Sequence, residues 1–112
     1  MKLYYSLRIE VKVDQFELVN NILGIKSNNP SFWEVQYEQT FDEEYCSYIK
    51  HFINILENKY NQLLSINIHR EDISIWILYE YENQCNLEFN PDELKRIGEE
   101  GITLCISCWE AG

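Results

Sequence analysis

Residues 3 to 12 alternate between apolar and polar side chains without a break, and this pattern constrains the fold more than any other feature of the chain. The apolar positions are Leu3, Tyr5, Leu7, Ile9 and Val11. Because successive side chains of a β-strand point to opposite faces of a sheet, the alternation predicts a strand with one buried face. The same period of two recurs over residues 33–38, 73–82 and 102–109, so we expect at least four strands in one sheet.

Helices are expected between these strands. Asp14 and Glu17 form a capping-box pattern for a short helix that ends at Gly24. Apolar residues at helical spacing then predict one long amphipathic helix over about 42–63, starting near Asp42 or Glu43.

The last third of the chain contains a further helix signal. Residues 90–93 read Asn-Pro-Asp-Glu, which combines an N-cap, a proline at the first helical position and an acid in the first turn. This helix is expected to end at Gly98 or Gly101. Leu87 and Phe89, which precede it, are expected to extend a short strand or a hairpin arm.

The order of these elements predicts an α+β fold. We expect a mainly antiparallel sheet of four to five strands with helices on one face, in the order β-α-β-α-β-β-α-β. A chain of 112 residues buries enough surface to form one core without a metal ion or a disulfide. Residues 1–112 are therefore expected to form a single α+β domain.

The charge balance limits the classes of partner. The chain contains 19 acidic and 9 basic residues, which gives a formal net charge of −10 at pH 7. No cluster of Lys or Arg is available to neutralise phosphates, so neither nucleic acid nor an acidic membrane is an expected partner. A strongly negative protein attracts basic partners instead.

The sequence also indicates where the protein works. Its N-terminus enters a strand that contains Arg8, Glu10 and Lys12, which differs from the apolar region of a signal peptide. The longest strongly apolar run, Ile73 to Tyr79, is far shorter than a membrane span. We therefore expect a soluble protein located in the cytoplasm.

Four cysteines are present, namely Cys46, Cys85, Cys105 and Cys108, and in a reducing compartment they are expected to be thiols. Cys105 and Cys108 are three positions apart on a predicted strand, so they should point to opposite faces of the sheet. They are then unable to bind one metal ion or to act as a redox pair. On this interpretation Cys108 belongs to the core and Cys105 to the surface.

No catalytic pattern is recognisable. His51 borders the long helix and His69 lies near a strand end, and neither has a partner at metal-ligand spacing. The acid pairs 43–44 and 99–100 mark helix ends, where adjacent side chains do not face each other. The four glycines build neither a phosphate loop nor a nucleophile elbow. We expect a protein that is not an enzyme, with no catalytic, metal-binding or cofactor-binding residues.

Several stretches together resemble DUF4279, a family of small bacterial domains of unknown function. The resemblance is carried by residues 4–9 (Tyr-Tyr-Ser-Leu-Arg-Ile), residues 22–25 (Ile-Leu-Gly-Ile), Trp33, the long central helix, and the final helix with its following strand. It covers nearly the whole chain, and its motifs are structural ones. The resemblance therefore implies the fold, and it brings no catalytic residues to this sequence.

The sheet face opposite the helices is the candidate site. Alternation collects the large side chains of Tyr4, Phe32, Trp76, Leu78 and Trp109 there, among acids that include Glu10 and Glu38. Exposed aromatic groups within a charged rim are typical of protein recognition. The expected partner-binding residues are Tyr4, Glu34, Trp76, Leu78, Glu80, Glu82, Trp109 and Glu110.

Two functional hypotheses follow from this face. The first is a protein-binding domain, in particular an immunity protein that neutralises a cognate bacterial toxin, which would be a basic protein. The alternative is a ligand-binding or homodimeric domain with a housekeeping role. The sequence leaves both open.

Overall fold

The computed structural model describes residues 2–40 and 47–112. The strands are β1 (Lys2–Ile9), β2 (Trp33–Gln39), β3 (Ile73–Tyr81) and β4 (Thr103–Glu110). The helices are α1 (Phe16–Leu23), α2 (Tyr48–Leu56), α3 (Tyr60–Ser65) and α4 (Pro91–Glu100). Short 3-10 turns, Val13–Gln15 and Arg70–Asp72, precede α1 and β3.

The four strands form one mixed sheet in the order β2-β1-β3-β4. β1 is antiparallel to both β2 and β3, whereas β4 runs parallel to β3. The parallel pair requires a crossover connection, which α4 provides. The predicted α+β fold with a mainly antiparallel sheet is confirmed.

The core lies between the helices and one face of the sheet. The core includes strand residues that were predicted to face the helices, and each is fully buried: Leu7, Trp33, Ile75 and Ile77. The helices cover them with side chains that include Val19, Leu23, Ile49, Phe52, Ile53, Leu56, Leu63 and Ile97. Because successive side chains of a strand point to opposite faces, the alternate, mostly polar residues lie on the other side of the sheet.

The prediction of one continuous central helix is wrong. The chain forms two helices, α2 and α3, which are separated at residues 57–59. Asn58 has a φ of 66°, in the left-handed region, and this conformation interrupts an α-helix. The predicted start at Asp42 or Glu43 lies outside the described residues, and α2 begins at Tyr48 with the Ser47 hydroxyl accepting from the Lys50 amide.

Two further local predictions differ from the structure. The capping box of Asp14 and Glu17 is absent, because the 3-10 turn Val13–Gln15 leads directly into α1. Residues 83–90 form no strand around Leu87 and Phe89, although both side chains pack against the core. This irregular connection leads from β3 to α4.

The start and end of α4 agree with the sequence. The side chain of Asn90 caps the helix by accepting from the Glu93 amide at 2.9 Å. Gly101 ends it with a φ of 68°, which a residue without a Cβ adopts freely. No helix within the described residues has the length and apolar character needed to cross a membrane.

Candidate partner-binding face

The side chains at alternate, mostly polar positions of the four strands lie on the side of the sheet opposite the core. Together they form a continuous surface, which we call the open face. β1 contributes Tyr4, Ser6 and Arg8 to its centre, and the strand register fixes their neighbours. The other members are Glu34, Gln36, Glu38, Ser74, Trp76, Leu78, Glu80, Thr103, Cys105, Ser107 and Trp109. Its members come from all four strands, so the order of the sheet decides which side chains meet.

The middle of the open face is tightly packed. Ser6 is fully buried between Gln36 on β2 and Trp76 on β3, which are its register partners. The Ser6 hydroxyl donates to the Gln36 side-chain carbonyl at 3.0 Å, and the Trp76 indole N–H donates to the Ser74 hydroxyl at 2.9 Å. These bonds satisfy polar groups that the surrounding side chains shield from water.

Arg8 is at the centre of an ion pair on this face. Its Nε donates to Glu34 Oε2 at 2.6 Å, and the two side chains retain 27% and 6% of their exposure. The guanidinium also lies over Trp76, 4.5 Å from the ring centroid, and over Phe32 at 5.2 Å. Arg8 therefore neutralises Glu34 and holds two aromatic side chains in place.

The structure brings five of the predicted partner-binding residues together on the open face. Tyr4 and Leu78 are directly opposite one another on β1 and β3, and Trp76 lies two positions along. Trp109 is 41% exposed, and its indole N–H donates to the Glu80 carboxylate of the neighbouring strand at 3.3 Å. An apolar and aromatic surface thus extends across β1, β3 and β4.

The other three predicted residues are placed differently. Glu34 lies on the open face but is only 5% exposed and pairs with Arg8, so it is unavailable as a rim charge. Glu110 pairs in register with Tyr81, which puts it on the helix side of the sheet, so its predicted place on the open face is wrong. Glu82 is exposed and immediately follows β3.

The sequence does not predict the central role of Arg8. The alternation of β1 places Arg8 on the same side as Tyr4, and that signal was readable. Its pairing with Glu34 depended on knowing that β2 and β1 are neighbours in an antiparallel register. Phe32 was expected on this face, and the structure gives it a specific contact with Arg8.

A cleft of about 310 Å³ opens at the end of this face. Phe32, Trp76 and Arg8 are among the residues that line it, and so are the acidic residues Glu10, Glu71 and Asp72. The Glu10 amide donates to the Asp72 carbonyl at 2.8 Å, which holds the two acidic segments together. Aromatic faces beside carboxylates suit a basic side chain.

Cys105 and Cys108 lie on opposite sides of the sheet, as predicted, but the predicted burial of Cys108 is not observed. Cys105 pairs in register with Trp76 and Cys108 with Tyr79, so they lie on opposite sides of the sheet. Cys108 is nevertheless exposed, because the helices do not cover this end of the edge strand, and the prediction of a core residue is wrong. Within the described residues, no group of three His, Cys, Asp or Glu side chains is arranged to hold a metal ion.

Comparison of the chain with protein-family models, curated proteins and solved structures finds no match.

Proposed function

We propose that the chain is a small acidic domain that binds a basic protein partner through its open face, as an immunity protein that neutralises a cognate bacterial toxin. The observation that carries this proposal is the open face itself, which is aromatic at its centre, with α1, α2, α3 and α4 on the opposite side of the sheet. A cytoplasmic location and a role without catalysis are part of the same proposal.

The charge of the chain supports a basic partner. The formal net charge is −10, and residues 71–93 contain seven acids without a Lys or Arg. This segment contains β3, whose polar side belongs to the open face, and it supplies Glu71 and Asp72 to the cleft. Such a distribution of charge accelerates encounter with a positive surface and orients it.

The aromatic residues supply the contact area. Phe32 is 43% exposed and Trp109 is 41% exposed, so both retain surface that a partner can bury. Trp76 is half-buried and fixed by Arg8 and Ser74, so its ring is held in position before any partner arrives. Rigid aromatic anchors of this kind account for most of the binding energy in many protein interfaces.

The test uses the protein encoded by the gene next to this one as the probe, with affinity measured by titration calorimetry or surface plasmon resonance. Trp109→Ala is expected to weaken binding at least about tenfold, as interface aromatic residues do. Leu94→Ala is the matched control, because Leu94 is 49% exposed but belongs to α4, on the other side of the sheet.

The role of the cleft is tested separately. Replacing Glu10 and Glu71 with Gln is expected to slow association and to reduce its dependence on salt. Equal effects of Trp109→Ala and Leu94→Ala, or binding that is unchanged by salt and by the two Gln substitutions, would contradict the proposed face.

Self-association is the second candidate, and the edge strand β4 favours it. β4 is at the end of the sheet order and contains no charged residue from Thr103 to Trp109, while Ile106 is 47% exposed. Uncharged edge strands expose unpaired backbone groups that a second copy can extend. Sedimentation over a range of concentrations tests this, and Ile106→Lys should shift any dimer to the monomer.

A further inference from the structure

Two exposed cysteines meet at the edge of the sheet. Cys85 lies in the irregular connection between β3 and α4, and Cys108 lies near the end of β4. Their Sγ atoms are 3.2 Å apart, although 23 positions separate them in the sequence. Cys108 is not on the open face, because it pairs in register with Tyr79, and the Cys85 sulfur contacts it.

We propose that Cys85 and Cys108 form a reversible disulfide site, which low-molecular-weight disulfides oxidise and thiols reduce. This inference is independent of the proposed function. A disulfide needs Sγ atoms about 2.05 Å apart, so the two sulfurs must approach by only about 1 Å. Cys85 is exposed in a segment without regular secondary structure, where a shift of this size disturbs no helix or strand.

The exchange proceeds in two balanced steps. The Cys85 thiolate attacks one sulfur of a small disulfide, forms a mixed disulfide and releases one thiolate of the reagent. Cys108 then loses its proton, attacks the Cys85 sulfur and releases the second thiolate. The two cysteines together lose two electrons and two protons, and one disulfide molecule is reduced to two thiols.

The order of attack is supported by the surroundings of the two thiols. The hydrogen bond with Cys85 raises the pKa of the Cys108 thiol above its ordinary value of 9.0, and desolvation adds to the effect. A thiol with a raised pKa forms less thiolate at neutral pH and so attacks more slowly. Cys85 is also exposed in the irregular connection, where a reagent can reach it without disturbing a helix or strand. We therefore assign Cys85 as the entry point and Cys108 as the thiol that resolves the mixed disulfide.

The bridge would fasten the β3–α4 connection to the edge strand. It closes a loop that contains all of α4 and most of β4. Closing such a loop restricts the unfolded chain, and it also holds residues 83–90 against the sheet. The oxidised form is expected to melt at a higher temperature and to be cleaved more slowly by protease within residues 83–90.

The decisive experiment treats the folded full-length chain with oxidised glutathione and maps the products by peptide mass spectrometry under non-reducing conditions. The expected product has lost two hydrogen atoms and contains a linked Cys85–Cys108 peptide. The same treatment in denaturant is the control. In the unfolded chain the shorter Cys105–Cys108 loop closes more readily, so the native structure is needed to select Cys85.

Single variants test the order of attack. Cys108→Ser should accumulate glutathione on Cys85, because the resolving thiol is missing. Cys85→Ser retains Cys105 and Cys108, and these should not bridge in the folded protein because they lie on opposite sides of the sheet. Mixed disulfides without a bridge in the unaltered chain, or a native Cys105–Cys108 link, would overturn the proposal.

Discussion

The guanidinium of Arg8 lies 4.5 Å from the ring centroid of Trp76, while its Nε donates to Glu34 at 2.6 Å. One basic side chain thus connects β1, β2 and β3 on the open face. The ion pair is largely shielded, since Glu34 is only 5% exposed. Removing one partner should therefore destabilise the protein more than breaking an ordinary surface pair does, because it leaves a shielded charge unpaired.

Arg8→Ala is expected to destabilise the protein by about 2 kcal/mol, because it leaves the buried Glu34 carboxylate without its partner. The value is below the ~3–5 kcal/mol typical of a fully buried pair, since the Arg8 side chain keeps 27% of its exposure. Urea unfolding of Arg8→Ala, Glu34→Gln and the double variant measures the coupling.

Lys95 and Glu99 provide the control for this pair. They form an i,i+4 pair on α4 with 74% and 62% side-chain exposure, so Lys95→Ala should change stability by less than about 0.5 kcal/mol. If Arg8→Ala were equally mild, Arg8 would not hold the open face together as we describe.

Adjacent residues of β3 test which side of the sheet is covered. Ile77 is fully buried under the helices and Leu78 is half-buried on the open face. Ile77→Ala should cost about 2–5 kcal/mol, because it leaves a cavity in the core, whereas Leu78→Ala should cost less than about 1.5 kcal/mol. Chemical denaturation compares the two, and similar losses would mean that the open face is covered in solution.

Strand positions were predictable because a period of two survives in the sequence wherever one face of a sheet is buried. Trp33 shows the strength of this signal, since its alternation with Glu34 places it in the core and Glu34 on the other side. The Asn90 cap and the Gly101 terminus of α4 were readable for a similar reason, as each depends on local chemistry alone.

The break between α2 and α3 was not predictable from apolar spacing. Leu56, Tyr60 and Leu63 keep helical intervals across residues 57–59, because both helices place apolar side chains against the same core. Only Asn58 marks the interruption, and asparagine is also common on exposed helical faces. The pattern therefore reports which side chains are buried but not whether the backbone between them is continuous.

The candidate site was predictable in part for a related reason. The alternation within each strand correctly predicted that Trp76 and Trp109 lie on the same face, because it depends only on the sequence of that strand. The pairing of Arg8 with Glu34 and the contact of Cys85 with Cys108 depend on which strands and loops are neighbours. Cys108 is on the core side of its strand but is not covered by the helices. Its position in the alternation therefore predicted more burial than the structure shows.

Asn58 offers a direct test of the helix break. Its φ of 66° costs an ordinary L-residue about 1–2 kcal/mol, and glycine avoids that cost. Asn58→Gly should preserve stability, while Asn58→Ala should lose about 1 kcal/mol. Asn61→Ala, an exposed position within α3, is the control and should be neutral or slightly stabilising. A gain for Asn58→Ala in thermal unfolding would favour one continuous helix.

The raised pKa values of two tyrosines lead us to expect that the stability of the protein decreases at alkaline pH. Burial raises the pKa of Tyr5 above its ordinary value of 10.0, with further contributions from Glu93 and Tyr48. Burial also raises the pKa of Tyr60, more strongly, and the neighbouring Glu100 carboxylate adds to the shift. In both cases the folded state retains the phenolic proton at a pH where the unfolded chain releases it.

Their contribution to stability is therefore fully present below about pH 10 and is lost as the pH rises through the raised folded pKa values. The free energy of unfolding, measured in urea at several pH values, should fall above about pH 10. Tyr60→Phe has no proton to release at this position, so its stability should fall less steeply there, while the difference between variant and parent stays constant at neutral pH. A parallel decline of the two proteins across the alkaline range would mean that Tyr60 ionises equally easily in the folded and unfolded chains, and that the burial of its hydroxyl is not maintained in solution.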